Sequence, residues 1–324
     1  MRTTIILAAA STLLVASLAG AQDNKDKSPH QVKFVTVADR VRLEVLDWGG
    51  TGRPIVLLAG LGGTAHSFDD FAPKLAATYH VYGLTRRGFG RSSAPAFGYG
   101  ADELGDDVLA VIDSLGLRRP VLAGHSMAGE ELSSIGSRFP GKAAGLIYLD
   151  AGYDYAFYDT SHGNLAIDIN EITRQLGKLR LGSGASAQEQ RKAMLTLADT
   201  SLPGFLKWLR AMLQEPAMAG GSGQAMARVP YAMTAGQQKY TVIHGPVLAI
   251  FASPPEIPPG AEKDTAMRSM IAEVDAAVEL QASAFARGVP QARVVRLPRA
   301  SHFVFRSNAD DVLRAMRAFV DSLR

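Results

Sequence analysis

The chain has 324 residues, 47% of them apolar and 20% charged, with a formal net charge of +3 and no cysteine. That length suits one large α/β domain carrying an insertion, and the apolar content excludes a disordered chain. The absence of cysteine excludes a disulfide framework and lipid attachment at a thiol, and the scattered charges form no basic stripe for nucleic acid.

Residues 1–21 read as an export signal rather than part of the fold: Arg2 gives a positive start, Ile5 to Ala19 a short apolar run, and Ala19-Gly20-Ala21 a small-residue cleavage site. The run is short for a membrane span and a polar stretch from Gln22 to Lys27 follows it. The expected mature chain is exported, periplasmic or secreted, with no stable membrane span.

Two alternating segments, Val32 to Val37 and Val41 to Leu46, predict paired strands about a turn at Ala38-Asp39-Arg40. Pro54 to Ala59 is apolar on both faces, the pattern of a central parallel strand. It empties into Gly60-Leu61-Gly62-Gly63-Thr64, whose glycines allow backbone N–H groups to converge on a negative charge. A helix is predicted from about Ser67 to Ala76, then a strand at His80 to Leu84. The next loop, Arg86-Arg87-Gly88-Phe89-Gly90-Arg91-Ser92, has glycines for a tight path and arginine for binding backbone carbonyls. Leu104, Val108, Val111, Ile112 and Leu115 then share one helical face, ended by Gly116.

Val121-Leu122-Ala123-Gly124-His125-Ser126-Met127-Ala128-Gly129 follows: an apolar strand, a sharp turn among small residues, and a helix-competent segment from Glu130 to Phe139. Such a turn holds a serine out at the top of a sheet and sets the N–H of Met127 at a helix N-terminus, where negative charge is favoured. The stretch resembles the nucleophile elbow of the α/β-hydrolase family, with Ala128 where the pattern usually has glycine. The Arg-Gly-x-Gly-x-Ser run ending at Ser92 is similar to a structural loop of the same family. The resemblance implies an oxyanion hole made by the backbone N–H groups of Leu61 and Met127. Ala59-Gly60 stands where the family often has His-Gly, a change that a backbone donor survives.

Leu146 to Asp150 is the next strand, ending on an acid. From residue 153 to 241 strand and helix no longer alternate. Tyr153, Tyr155, Phe157 and Tyr158 form an aromatic knot, helical pieces run from Ile167 to Lys178, Ala187 to Ala198 and Pro203 to Leu213, and methionines recur at Met194, Met212, Met218, Met226 and Met233. The resemblance makes this insertion a helical cap, and its methionines and aromatics suit an adaptable apolar pocket. The sheet resumes at Pro246 to Ala252. A proline-rich loop, a helix from about Asp264 to Arg287, a last strand at Ala292 to Leu297 and a closing helix from Ala309 to Leu323 complete the chain. The expected fold is α/β: a mostly parallel, doubly covered sheet from residues 22–152 and 242–324, with the cap at 153–241.

A serine needs a base, and a base of this kind needs a carboxylate to fix its tautomer. His302, in the loop between last strand and last helix, stands where the family carries its histidine. Two acids are open. Glu256 follows the strand from Pro246, the usual place, and gives the order serine, acid, histidine; Asp150 ends the preceding strand, a site some members use. Glu256 is the preferred one. Together these imply a serine hydrolase acting on carboxylic esters or related acyl compounds with an apolar part. The expected partner is a small-molecule acyl substrate, with no metal or organic cofactor. A same-fold lyase, a cofactor-free perhydrolase and a non-catalytic binding protein are the alternatives.

Overall fold

The central strands are apolar along their whole length because both of their faces are covered. In the computed structural model, which describes residues 28–180, 183–206, 228–256 and 265–323, β1 (Gln31–Ala38), β2 (Val41–Gly49), β3 (Pro54–Leu58), β4 (His80–Leu84), β5 (Val121–His125), β6 (Gly145–Leu149), β7 (Val247–Ala252) and β8 (Ala292–Leu297) form one sheet. Its order is β1-β2-β4-β3-β5-β6-β7-β8. The first two strands are antiparallel to their neighbours and the rest are parallel. The predicted export signal lies outside the described residues.

Alternate side chains of a strand point to opposite faces, and the two cores divide along that alternation. Val56, Leu58, Leu122, Leu146, Tyr148, Ala249 and Phe251 pack on one face. They meet Val108 and Ile112 of α2 (Ala101–Ser114), Leu132 and Ile135 of α3 (Ala128–Arg138), and Val278, Ala282 and Phe285 of the long helix Thr265–Gly288. Ile55, Leu57, Val121, Ala123, Ile147, Leu149, Leu248 and Ile250 face the other way. Against them lie α1 (Ala72–Ala76) and the C-terminal helices Val304–Ser307 and Ala309–Asp321, through Leu75, Phe305, Val312, Met316 and Phe319.

The predicted helix from Ser67 to Ala76 is broken in two, a 3₁₀ turn at Ala65–Phe68 and then α1, which has proline in its first turn. Proline fits a helix start better than a helix interior. Between β6 and β7 the described residues contain helices and no strand: α4 (Leu165–Leu179), α5 (Ala187–Thr196) and α6 (Arg228–Ala235). Asn164 caps α4 by accepting from the Ile167 N–H at 3.2 Å, and Ser186 with Glu189 forms a reciprocal capping box on α5. Met212, Met218 and Met226, with most of the helix predicted from Pro203, lie outside the described residues. In chain order the two C-terminal helical elements after β8 are α8 and α9, and Thr265–Gly288 is α7.

Candidate active site

Residues His125 and Leu149 are paired across β5 and β6, so the residues that follow them, Ser126 and Asp150, leave the sheet side by side. Both are left-handed, with φ of 52° and 47°. Non-glycine residues rarely adopt that conformation, and two at neighbouring strand ends mark a strained, over-determined site. The Ser126 N–H is held by the Leu149 carbonyl at 3.3 Å.

Small residues make the turn possible. A Cβ on Gly129 would lie 2.0 Å from the Ala151 carbonyl oxygen, so only glycine lets α3 start this close to the end of β6. A Cβ on Gly60 would lie 2.9 Å from both His125 Nδ1 and Ser126 Cβ, which ties the glycine loop after β3 directly against the elbow. Arg86 fixes the same junction: its guanidinium donates to the carbonyls of Ala59, at 2.9 Å, and Gly60, at 3.3 Å, and to Glu131 in the first turn of α3. The role expected for arginine in that loop is therefore filled by Arg86, while Arg87 forms a fork on Asp107, at 2.6 and 2.5 Å. The N–H groups of Leu61 and Met127 donate to no acceptor among the described residues.

His302 Nδ1 lies 2.7 Å from Asp150 Oδ2. The other carboxylate oxygen, Oδ1, accepts from the Tyr153 hydroxyl at 2.7 Å and from the Ala252 N–H at 3.0 Å. An acceptor-only carboxylate on Nδ1 sets the proton there and leaves Nε2 free to take one. His302 is also gripped from behind. His125 Nε2–H donates to the His302 carbonyl at 3.0 Å, and the two rings are 4.6 Å apart. Burial, with His302 and Arg306 close by, holds the His125 imidazole well below its usual range, so it stays a neutral donor. Among the described residues His302 is hydrogen-bonded to Asp150 and His125 and not to Ser126 Oγ; such a contact commonly tightens in the substrate complex.

The preference for Glu256 as the partner of the histidine is corrected by this geometry. Glu256 is exposed; its backbone N–H bonds the Ala300 carbonyl at 2.9 Å, and it makes no bond to His302. The neighbouring Pro255 bridges Ala300, so the chain runs on beside the end of β8 and carries the glutamate away. Asp150, the second choice, holds the imidazole instead. Among the described residues no cluster of His, Cys, Asp or Glu has the makings of a metal site.

Above the elbow, Met127 packs with Tyr99, Leu104 and Met233, and Leu61, Phe89, Tyr155 and Val229 close around them. Val229 and Met233 belong to α6, so the helical insertion packs in the same cluster as Leu61 and Met127. Gln237 adds a weak donor to the Met127 sulfur at 3.8 Å.

Glu130, buried in the first turn of α3, was not singled out by sequence reasoning. Both of its carboxylate oxygens lack a partner. Burial, reinforced by Glu131 and opposed by Arg86, pushes its pKa well above the usual carboxylate range. A raised carboxyl is stabilising below its unfolded value and loses that contribution as pH rises through its folded one. Glu130→Met is therefore expected to stabilise the fold by about 1–3 kcal/mol at pH 8 and by much less at pH 4, as read by urea unfolding at the two pH values.

A sequence profile of the Alpha/beta hydrolase family matches residues 55–315. A putative non-heme haloperoxidase of Mycobacterium phage D29 is 31% identical over 126 residues, 39% of this chain and 45% of that protein. A bifunctional esterase/perhydrolase of Acinetobacter calcoaceticus is 33% identical over 111 residues, 33% of this chain and 40% of its own length. The matched stretch thus spans less than half the length of these curated relatives. Among solved structures, an E-2-(acetamidomethylene)succinate hydrolase superposes with a TM-score of 0.55 at 20% identity, over 91% of this chain and 100% of that one. A thermophilic esterase from Thermogutta terrifontis gives 0.54 at 19%, over 90% and 98%. With the family profile covering the sheet from β3 to the last helix, the chain belongs to the alpha/beta hydrolase family.

Proposed function

We propose that the protein is a serine hydrolase of carboxylic esters or related acyl compounds with an apolar part. Ser126 is the nucleophile, His302 the base and Asp150 its carboxylate. The observation that carries this reading is the pairing of strained Ser126 and Asp150 at neighbouring strand ends, with His302 bonded to the second.

In the first step the Ser126 hydroxyl gives its proton to His302 Nε2 as Oγ bonds the acyl carbon. The carbonyl electrons move onto oxygen, which the N–H groups of Leu61 and Met127 receive. Collapse breaks the bond to the leaving oxygen, and the imidazolium returns the proton to it. Water then gives a proton to His302 and its oxygen bonds the acyl carbon; the bond to Oγ breaks and Ser126 recovers its proton. Asp150 keeps the Nδ1 proton throughout and stabilises the imidazolium.

The apolar walls around Met127 suit the hydrophobic part of the substrate, and residues 153–241 act as the lid that chooses it. Residues 1–21 belong to this reading as an export signal, on their basic start, apolar run and small-residue end. Hydrogen peroxide in place of water would release a peracid from the same acyl-enzyme, and the similarity to an esterase/perhydrolase supports that second reading.

A fluorophosphonate probe tests the proposal. Labelling should reach the wild type and map to Ser126, and should vanish in Ser126→Ala. Absence of labelling in a folded wild type would remove the hydrolase reading. Peracid formation from an ester in the presence of hydrogen peroxide, compared with plain hydrolysis, decides between the two acceptors.

A further inference from the structure

One buried polar group beside the elbow has no structural work. The hydroxyl of Tyr155 is shielded from solvent and forms no well-placed hydrogen bond among the described residues, the Ser126 hydroxyl being its polar neighbour. A buried hydroxyl without a partner costs free energy and calls for an explanation, a catalytic role among them. Its ring is not loosely placed. It packs in the cluster with Leu61 and Met127, and lies 6.0 Å from the ring of Tyr153, which is itself anchored on Asp150.

The phenol is also close to the nucleophile. Burial and the charge of Asp150 push its pKa well above the usual phenol range, while the Ser126 hydroxyl draws it partly back; Glu130 and Asp154 add to the upward push. A phenol in that setting stays protonated at any working pH, so it acts as a hydrogen-bond donor and not as a base.

On the serine-hydrolase reading given above, we infer that Tyr155 is a third donor to the substrate oxygen that becomes negative when Ser126 attacks. Its ring packs in the same cluster as Leu61 and Met127, the residues whose backbones carry the two proposed donors. No proton is transferred: the phenol strengthens its hydrogen bond as charge develops and relaxes when the carbonyl reforms. Substrate supplies the acceptor that the surrounding side chains do not provide.

Tyr155→Phe tests this, because it keeps the ring and removes only the hydroxyl. Since that hydroxyl forms no well-placed hydrogen bond, the variant should unfold at the same urea concentration as wild type or a slightly higher one. Its kcat should fall roughly 100-fold, equally on a p-nitrophenyl ester and the matching ethyl ester, with little change in KM. Affinity for an alkylboronic acid, which mimics the tetrahedral adduct on the serine, should weaken by the same factor as kcat/KM. A merely structural tyrosine would lower stability and leave boronate affinity in step with KM. The inference fails if kcat stays within about twofold of wild type on both esters. It fails too if the loss is confined to the ethyl ester, which would put the phenol on the leaving oxygen. Fluorophosphonate labelling of the wild type separates the two failures: an unlabelled wild type overturns the hydrolase reading and this one with it, whereas a labelled wild type beside an unimpaired Tyr155→Phe overturns only the role of the phenol.

Discussion

Ser126→Ala is expected to lower kcat for p-nitrophenyl esters by roughly ten-thousand- to million-fold, with the fold unchanged. The loss is large because the other groups of a triad act through the nucleophile, so what remains is binding and oxyanion stabilisation. The fold survives because the backbone bond from Ser126 to Leu149 needs only the N–H, which alanine keeps. The strain is a backbone property: at φ 52° alanine is held as awkwardly as serine. Ser126→Gly should therefore be inactive yet more stable than Ser126→Ala by about 1 kcal/mol, read by urea unfolding. That pairing of lost activity with gained stability is what a residue kept in a costly conformation for chemistry should show. A variant at this position that retained a tenth or more of wild-type turnover would mean that another residue carries the acyl group.

Much of this was legible in the sequence, for local reasons. β3, β5, β6 and β7 stand out as apolar runs because a strand covered on both faces has no polar side to alternate with. The elbow is legible because strand, serine, small residues and helix start all fall within nine positions, and His302 because the last strand and last helix bracket its loop. The acid was not legible from position alone. Both Asp150 and Glu256 follow the C-terminal end of a parallel strand, and the choice between them depends on where the chain goes next. Two tertiary facts favour Asp150: the pairing of His125 with Leu149, and the run of Pro255 beside Ala300. Aligning the two strand ends would have set Asp150 beside Ser126. Tyr155 was hidden for a different reason. In sequence it is one tyrosine in an aromatic knot, and only the packed structure reveals that Tyr153 and Tyr158 have acceptors for their hydroxyls while Tyr155 does not.

The contrast between Asp150→Asn and Glu256→Gln carries the second large effect. Asp150→Asn should cut kcat by about ten-thousand-fold, whereas Glu256→Gln should stay within about twofold of wild type. The asparagine fits the same space and tolerates the left-handed backbone at φ 47°, so folding is preserved. What changes is the hydrogen-bond code. Asp150 accepts at both oxygens, from Tyr153 and Ala252 on one side and from His302 on the other. An amide can satisfy only one side as acceptor. The two fixed donors, Tyr153 O–H and Ala252 N–H, keep the amide oxygen, and the NH₂ turns to His302. Facing a donor, Nδ1 must give up its proton and become the acceptor, which moves the proton to Nε2. That is the nitrogen that has to accept from Ser126, so the base is blocked by its own tautomer. Removing the Tyr153 hydroxyl should not restore activity to Asp150→Asn, because the Ala252 N–H still holds the amide oxygen and keeps the NH₂ on Nδ1. Kinetics of Asp150→Asn with and without Tyr153→Phe test the chain of reasoning. A greater loss in Glu256→Gln than in Asp150→Asn would show that the carboxylate seen on His302 is not the one that supports catalysis.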